Sequence, residues 1–329
     1  MIIYICSIPK KIIYSGNIIK QNNFKTELFQ KSQNFNIQIC DYNNIQITEN
    51  NIYLFIKDIP DYIIPVMKEL KKKGNYLIYE PLDEMWCGIL NGSDIKDATY
   101  TINSYMEYMI PIFNLFDHII FNNKSFLKNK YIKNLQINKN IIYHEYDARL
   151  LDTNKKIQNQ IFYIGSIKKS SFIQESYMKI IKKYNINIVT LSDIRIDSKD
   201  IKKDKYSQYK QVANINNLHI NLKGIHIDYV KPNKLYYYIH TATKLSTCLA
   251  LDSIFISNRI PVFVELLGKK YDLFFKDDLS DLHEIINKAY DILQNTNKYL
   301  DYLKKMAPIK KRLSLHNSSK QYYDIFKSI

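Results

Sequence analysis

Short apolar runs recur along the first half of the chain and alternate with stretches of helical spacing. The runs are Ile2–Ser7, Phe35–Cys40, Asn51–Lys57, Tyr76–Tyr79, His118–Phe121 and Asn140–His144. Between them, Pro60 opens a helix that Gly74 ends, Ala98–Phe116 spaces its apolar residues as a long amphipathic helix, and Lys124–Lys133 forms a basic one. Strands alternating with helices predict a parallel sheet covered on both faces. The polar, aperiodic stretch of residues 151–160 breaks the pattern, and it restarts at Gln160–Gly165. A helix through Tyr184, a strand at Ile186–Leu191, a charged segment at Ser192–Gln211 read as loop and short helix, and one or two strands in Asn216–Val230 follow. Ser280–Asn295 spaces as an amphipathic helix, and the tail carries two further helical stretches separated by the basic APIKKRLSLHNSS. The predicted fold class is α/β with two Rossmann-like domains, residues 1–152 and 153–316.

The segment Lys234–Phe275 organises the second half. Leu245, Cys248 and Leu249 fall at i, i+3 and i+4, which predicts a helix over Ala242–Leu251 with Thr241 as its N-cap. His240 and Lys244 then stand at the positive end of the helix dipole, where acidic residues are preferred, and the local sequence offers no carboxylate. An external anion at the helix start accounts for that arrangement, because free amides there bind phosphate. A lysine extended into solvent accounts for it as well, at a small cost. A buried strand, Ser253–Ser257, leads through Asn258 and Arg259 to a second helix opened by Pro261 and stopped by Gly268. Within that helix, Glu265 complements a dipole or accepts hydrogen bonds from a sugar hydroxyl, as acids do for ribose in dinucleotide sites.

The run ATKLSTCLALDSIFISNRIPVFVELL resembles the donor-binding half of nucleotide-sugar glycosyltransferases of the GT-B fold. Such chains show a Lys-bearing helix start, a helix of small residues, a buried strand, and then a Pro and a Glu. Their helix often ends in Ala-Gly, where this chain has Leu251-Asp252-Ser253. The resemblance implies two Rossmann-like domains with parallel sheets facing across a cleft, and a C-terminal helix of about residues 317–329 packing back on the first domain. It implies a nucleotide-sugar donor held by His240, Thr241, Thr243, Lys244, Leu245, Arg259 and Glu265. The turn of Gly165, Ser166 and Lys168 would face the donor diphosphate, although an ordinary strand-to-helix turn has the same composition. Sugar transfer to an acceptor hydroxyl, glycan or lipid-linked, follows as the implied reaction, in cell-surface glycan synthesis. In open α/β sheets ligands sit at the carboxyl ends of strands. In the first domain that rule singles out Asp83, and after it His144, as the base that an inverting transfer requires. A helix cap and a structural histidine are their bland alternatives.

Composition changes the picture in three places. With only 7 glycines and no GxGxxG, a classical dinucleotide site is not expected. Cys6, Cys40, Cys87 and Cys248 lack CxxC spacing and read as reduced core thiols, and with no HExxH or isolated Asp-x-Asp no metal or other cofactor is expected. The net charge of +15 attracts anions without choosing among nucleotides, an anionic membrane surface and nucleic acid. It keeps open a DNA-modifying transferase or a nucleic-acid binder, although no binding motif or dense Arg cluster supports either. A catalytically inactive GT-B-like partner subunit is a further alternative. The start MIIYICSIPKK has no charged region before its apolar run, so it reads as a first strand and places the protein in the cytoplasm, at most peripheral to the membrane's cytosolic face.

Overall fold

The computed structural model of the 329-residue chain describes residues 1–7, 35–57, 59–82, 107, 109–128, 130–146, 150–151, 155–164, 180–192, 210–214, 221–230, 237 and 240–329. It divides into two compact units. One comprises Met1–His144, Asn233–Thr241 and Leu315–Ile329, the other Glu145–Pro232 and Ala242–Ser314. The stretch of residues 151–160 thus lies inside the second unit, and His240 and Thr241 are counted with the first.

The sheet of the first unit contains β1 (Ile2–Ser7), β2 (Asn36–Asp41), β3 (Ile52–Ile56), β4 (Tyr76–Glu80), β5 (His118–Phe121) and β6 (Asn138–Ile141). Its order is β2-β1-β3-β4-β5-β6, with every pair parallel. Alternation along each strand sorts the side chains by kind. Tyr4, Cys6, Tyr53, Phe55, Leu77 and Tyr79 enter one core, where Met67 and Leu70 of α1 (Ile64–Lys72) join Phe113 and Phe116. Ile3, Ile5, Ile52, Leu54, Ile56 and Ile78 enter the core on the other face. One face is therefore rich in rings, with Tyr4 stacked on Tyr53 and Tyr79 on Phe116, and the other is largely aliphatic. Both faces are dry, which is why these strands read as continuous apolar runs.

The second sheet contains β7 (Ile161–Ile164), β8 (Asn187–Ser192), β9 (Lys210–Asn214), β10 (Ile225–Asp228), β11 (Ile254–Asn258) and β12 (Phe274–Phe275). Read from β9, its order is 3-2-1-4-5-6, the doubly wound arrangement of dinucleotide-binding domains. At its crossing of β7, Gly224 leaves no room for a side chain, since an added Cβ would lie 2.8 Å from the Gln160 carbonyl and 2.9 Å from that of Gln158. The described helices of the later chain are α3 (Thr243–Ala250), α4 (Pro261–Leu267), α5 (Leu282–Gln294), α6 (Thr296–Arg312) and α7 (Leu315–Lys327), with the short α2 (Lys130–Asn134) earlier.

Several elements differ from the expectation. β9 (Lys210–Asn214) begins in the last two residues of the segment read as loop and continues past it. Among the described strands it pairs with β8 alone, and an edge strand needs little apolar alternation to hold there. The predicted helix Lys124–Lys133 splits into a 3₁₀ turn at Phe126–Lys128 and α2. The basic stretch expected to separate two tail helices is largely helical, and α6 runs through Pro308. Pro308 is exposed, so the carbonyl it leaves unbonded one turn earlier meets water. β12 covers only the carboxyl half of β11, pairing with Ser257 and Asn258. Tyrosine hydroxyls complete the other half: Tyr302 accepts from the Phe255 amide at 2.9 Å, and Tyr271 donates to the Phe255 carbonyl at 2.5 Å.

α7 buries Tyr322, Ile325 and Phe326 in the aliphatic core of the first sheet, and Tyr322 donates a 2.6 Å hydrogen bond to Glu80 Oε2 at the end of β4. The C-terminal helix is thus an integral layer of the first unit. No described helix is long and apolar enough to cross a membrane.

Candidate functional site

In a 3-2-1-4-5-6 sheet the connections leave in opposite directions from strands 1 and 4, and a crevice opens there at the carboxyl ends. Here those strands are β7 and β10. β7 brings Tyr163 to that end, β10 ends in Asp228, and α3 presents Lys244 from its first turn. Lys244 Nζ lies 2.5 Å from Asp228 Oδ1 and donates to the Tyr163 hydroxyl at 3.1 Å, with the ammonium 4.2 Å from the Tyr163 ring centre. Asp228 is fully buried, and 17% of the Lys244 side chain is exposed. Burial alone would lower the Lys244 pKa, but the Asp228 carboxylate and Tyr163 outweigh it and raise the pKa above the ordinary lysine range. The lysine is charged at every physiological pH. An ammonium has three N–H donors. Two meet Asp228 and Tyr163, so among the described residues one is left for a ligand.

This geometry corrects the picture of a helix start with no carboxylate nearby. α3 has no acid in its first turn and no capping side chain; its N-cap is Ala242, one residue after the expected Thr241. The compensating charge comes instead from Asp228, 16 residues upstream, carried in by a strand. The same oxygen of Asp228 also accepts from the Tyr229 amide at 2.9 Å.

Beside this cluster, β11 ends in the fully buried Asn258. Its amide spans the neighbouring chain, accepting from the Val230 amide and donating to the Val230 carbonyl and to Asp277 Oδ1. Asn258 therefore pins the turn after β10 and fixes where Asp228 stands. Further down β10, His226 is buried and its Nε2 bonds the Leu222 carbonyl at 2.8 Å, while burial lowers its pKa to about 4. A neutral imidazole must donate that bond.

The Ala-Gly departure also finds a physical account. Asp252 adopts φ +49°, the left-handed conformation that glycine favours after a helix. It is held by Lys310, whose Nζ is 2.5 Å from Oδ1, and its carbonyl accepts from the Tyr299 hydroxyl. Two contacts from α6 thus offset the strain of a non-glycine residue there.

The other expected site residues are spread more widely. Leu245 is fully buried in the core, and Thr243 is partly exposed in the first turn of α3. Arg259 is exposed; its guanidinium donates to the Lys269 carbonyl at 2.8 Å and stands over the Phe274 ring. Glu265 is half-buried on α4, which Pro261 opens and Gly268 closes at φ +86°. His240 and Thr241 are buried in the first unit, where Asn123 donates to the His240 carbonyl at 3.1 Å. His144 is buried, three residues after β6. Asp83, Gly165, Ser166 and Lys168 lie outside the described residues. Tyr163 went unremarked in the sequence, since the apolar run QIFYIG reads as core. Asp228 showed only as an acid closing such a run, the one signal that marks a strand end.

No family model matches the chain, and no curated protein matches it in sequence. Solved structures do match it in shape. Anabaena HepE in complex with UDP superposes with a TM-score of 0.60 at 9% identity, over 100% of both chains. WaaG, a glycosyltransferase involved in lipopolysaccharide biosynthesis, superposes at 0.56 with 9% identity over 98% of this chain and 99% of its own. A DNA-modifying β-glucosyltransferase does so at 0.52 with 12% identity, over 100% and 99%. The fold is GT-B. The expected α/β class with two parallel Rossmann-like sheets is the observed one.

Proposed function

We propose that the chain is a glycosyltransferase that moves a sugar from a nucleoside-diphosphate donor to an acceptor hydroxyl. The carrying observation is the Lys244–Asp228–Tyr163 cluster at the topological switch point of a doubly wound sheet. The likeness in fold to HepE solved with UDP and with UDP-glucose supports it. The spare N–H of Lys244 and the start of α3 would hold the leaving diphosphate, with Asp228 and Tyr163 fixing the ammonium in place. A fixed cation stabilises charge that develops on a leaving group without reorganising at the moment of reaction. No metal is then required for that task. The acceptor oxygen attacks the anomeric carbon, the bond to the diphosphate oxygen breaks, and a base takes the hydroxyl proton. Asp83 and His144 are our candidates for that base, and Glu265 and Arg259 for further donor contacts, with Gly165, Ser166 and Lys168 in the facing turn.

The likeness to WaaG favours a glycan or lipid-linked acceptor in cell-surface glycan synthesis on the cytosolic side of a membrane. The likeness to a DNA-modifying β-glucosyltransferase, with a net charge of +15, supports a second reading in which DNA is the acceptor.

The test is a thermal shift with UDP. Wild-type protein should melt higher with UDP present. The double variant Lys244→Met/Asp228→Asn removes the buried pair without stranding either charge, and it should lose most of that rise. An undiminished rise in the double variant removes Lys244 from the donor site. No rise in wild type with UDP or any other nucleoside diphosphate overturns the donor reading itself. For the second reading, transfer of labelled sugar to duplex DNA, with binding that weakens steeply as salt rises, would put DNA first.

A further inference from the structure

Cys6 and Cys40 stand side by side on neighbouring strands of the first sheet. They are direct partners in the parallel register of β1 and β2, and their sulfurs lie 3.1 Å apart. Both are free thiols in the structure. Paired residues on adjacent strands are separated by about 4.7–4.9 Å, inside the span of about 4.4–6.8 Å that a disulfide bridges without backbone movement. The sulfurs need to approach by only about 1 Å to reach bonding distance, which side-chain rotation supplies. We propose that Cys6 and Cys40 form a reversible dithiol–disulfide couple, an oxidation site built into the edge of the first sheet.

The two thiols are not equivalent, and the difference sets the order of events. Cys6 is fully buried, while Cys40 is partly exposed on the edge strand. Burial pushes the Cys6 thiol well above its ordinary range, and its hydrogen bond with Cys40 adds to the shift. That same hydrogen bond lowers the Cys40 pKa, against the opposing pull of burial and of Asp41. Cys40, partly exposed and with its pKa lowered, is therefore the thiol that reacts first, and Cys6 is the buried partner behind it. A partly exposed thiol of lowered pKa beside a second thiol is the arrangement that favours oxidation to a disulfide over further oxidation.

With a small disulfide such as oxidised glutathione as oxidant, the Cys40 thiolate attacks one of its sulfurs. The glutathione S–S bond breaks, one glutathione thiolate leaves, and Cys40 carries a mixed disulfide. Cys6 then loses its proton and attacks the Cys40 sulfur, expelling the second glutathione thiolate. The protein has given up two electrons and two protons, and one glutathione disulfide has become two thiols. The bond formed spans 34 positions of the chain, including the stretch between β1 and β2.

The experiment treats the full-length protein with oxidised glutathione and maps the products by non-reducing peptide mass spectrometry. The expected wild-type product is a Cys6–Cys40 linked peptide pair, lighter by two hydrogens than the separate peptides and restored by dithiothreitol. Cys6→Ser should stop at a glutathione adduct on Cys40. Cys40→Ser should leave Cys6 unmodified, and its reaction elsewhere should match that of a Cys6→Ser/Cys40→Ser double variant. A wild-type protein that stops at the adduct, that links Cys40 to Cys87 or Cys248, or that keeps both thiols reduced would overturn the proposal. The result does not depend on the proposed activity, because no sugar transfer enters the readout.

Discussion

The carboxyl ends of the two sheets solve the same problem with different parts. Each gathers buried polar groups where strands end and the backbone ladder stops. In the first unit these are Ser7, Lys57, Glu80, Asn122 and Asn123, and the visible anchor of Glu80 is a neutral hydroxyl, that of Tyr322, from the chain's last helix. Lys57 follows β3 at φ +76°, a left-handed conformation costly for lysine. In the second unit the buried acid is Asp228, and its anchor is a cation, Lys244. A neutral anchor leaves the charge of the acid to its other surroundings, while a cationic anchor neutralises it on the spot. The first arrangement ties a helix to a sheet. The second stores an ammonium at the switch point, its charge matched by the acid buried beside it.

The sharpest way to break the comparison is to remove the cation. Lys244→Met should cost about 3–5 kcal/mol in urea unfolding, because it leaves the Asp228 carboxylate buried without its cation. The double change Lys244→Met/Asp228→Asn should recover most of that loss. A single variant as stable as wild type would mean that Asp228 is compensated elsewhere, and the pair would no longer be the charge store described.

A second test uses pH. His226 has a folded pKa of about 4, lowered by burial, against an ordinary value of about 6.5. Because the folded value is the lower one, the unfolded chain binds the proton first as pH falls. Stability is therefore complete above about pH 6.5, declines below it, and has lost about 3 kcal/mol by the folded pKa. His118, at the start of β5 in the first sheet, is also lowered by burial, with Asn140 opposing, so both sheets contribute slopes of the same sign. His226→Gln should flatten the decline between pH 7 and 5. A slope unchanged in that variant would assign the acid sensitivity to other groups.

Tyr322→Phe should cost less, about 1.5–3 kcal/mol, the worth of one hydrogen bond to a charged group. The ring stays in the aliphatic core and the hydroxyl contact to Glu80 is lost. A loss as large as that of Lys244→Met would erase the distinction between the two edges.

What the sequence revealed follows from how local each interaction is. The apolar runs marked most strands because both faces of each sheet are dry. Pro261 and Gly268 bounded α4 because their backbone preferences act within one turn. The Lys244–Asp228 contact could not be read in that way. It depends on β10 lying beside β7, and strand order is a property of the whole sheet. The odd charge at the start of α3 was a correct signal of a missing partner, yet nothing local distinguished a ligand from a residue of the same chain. β9 was missed because an edge strand carries little apolar pattern. α6 was cut short because a proline in an exposed turn costs less than its usual effect on a helix.

The smallest expected effect probes the turn that replaces Ala-Gly. Asp252 accepts left-handed strain and receives in return the Lys310 ammonium and the Tyr299 hydroxyl. Asp252→Gly relieves the strain, worth about 1 kcal/mol, and gives up the ion pair, worth up to about 1 kcal/mol where the partners are partly exposed. The two nearly cancel, and the Tyr299 contact to the backbone carbonyl survives in either residue. Stability by urea unfolding should therefore stay within about 1 kcal/mol of wild type. Asp252→Ala keeps the strain and loses the pair, so it should fall below both. If Asp252→Gly proved clearly more stable than wild type, the ion pair would contribute nothing and the aspartate would be a tolerated substitute for glycine. If it proved clearly less stable, Lys310 would be the residue that holds α6 against the end of α3, and the turn would owe its shape to that contact more than to its own backbone.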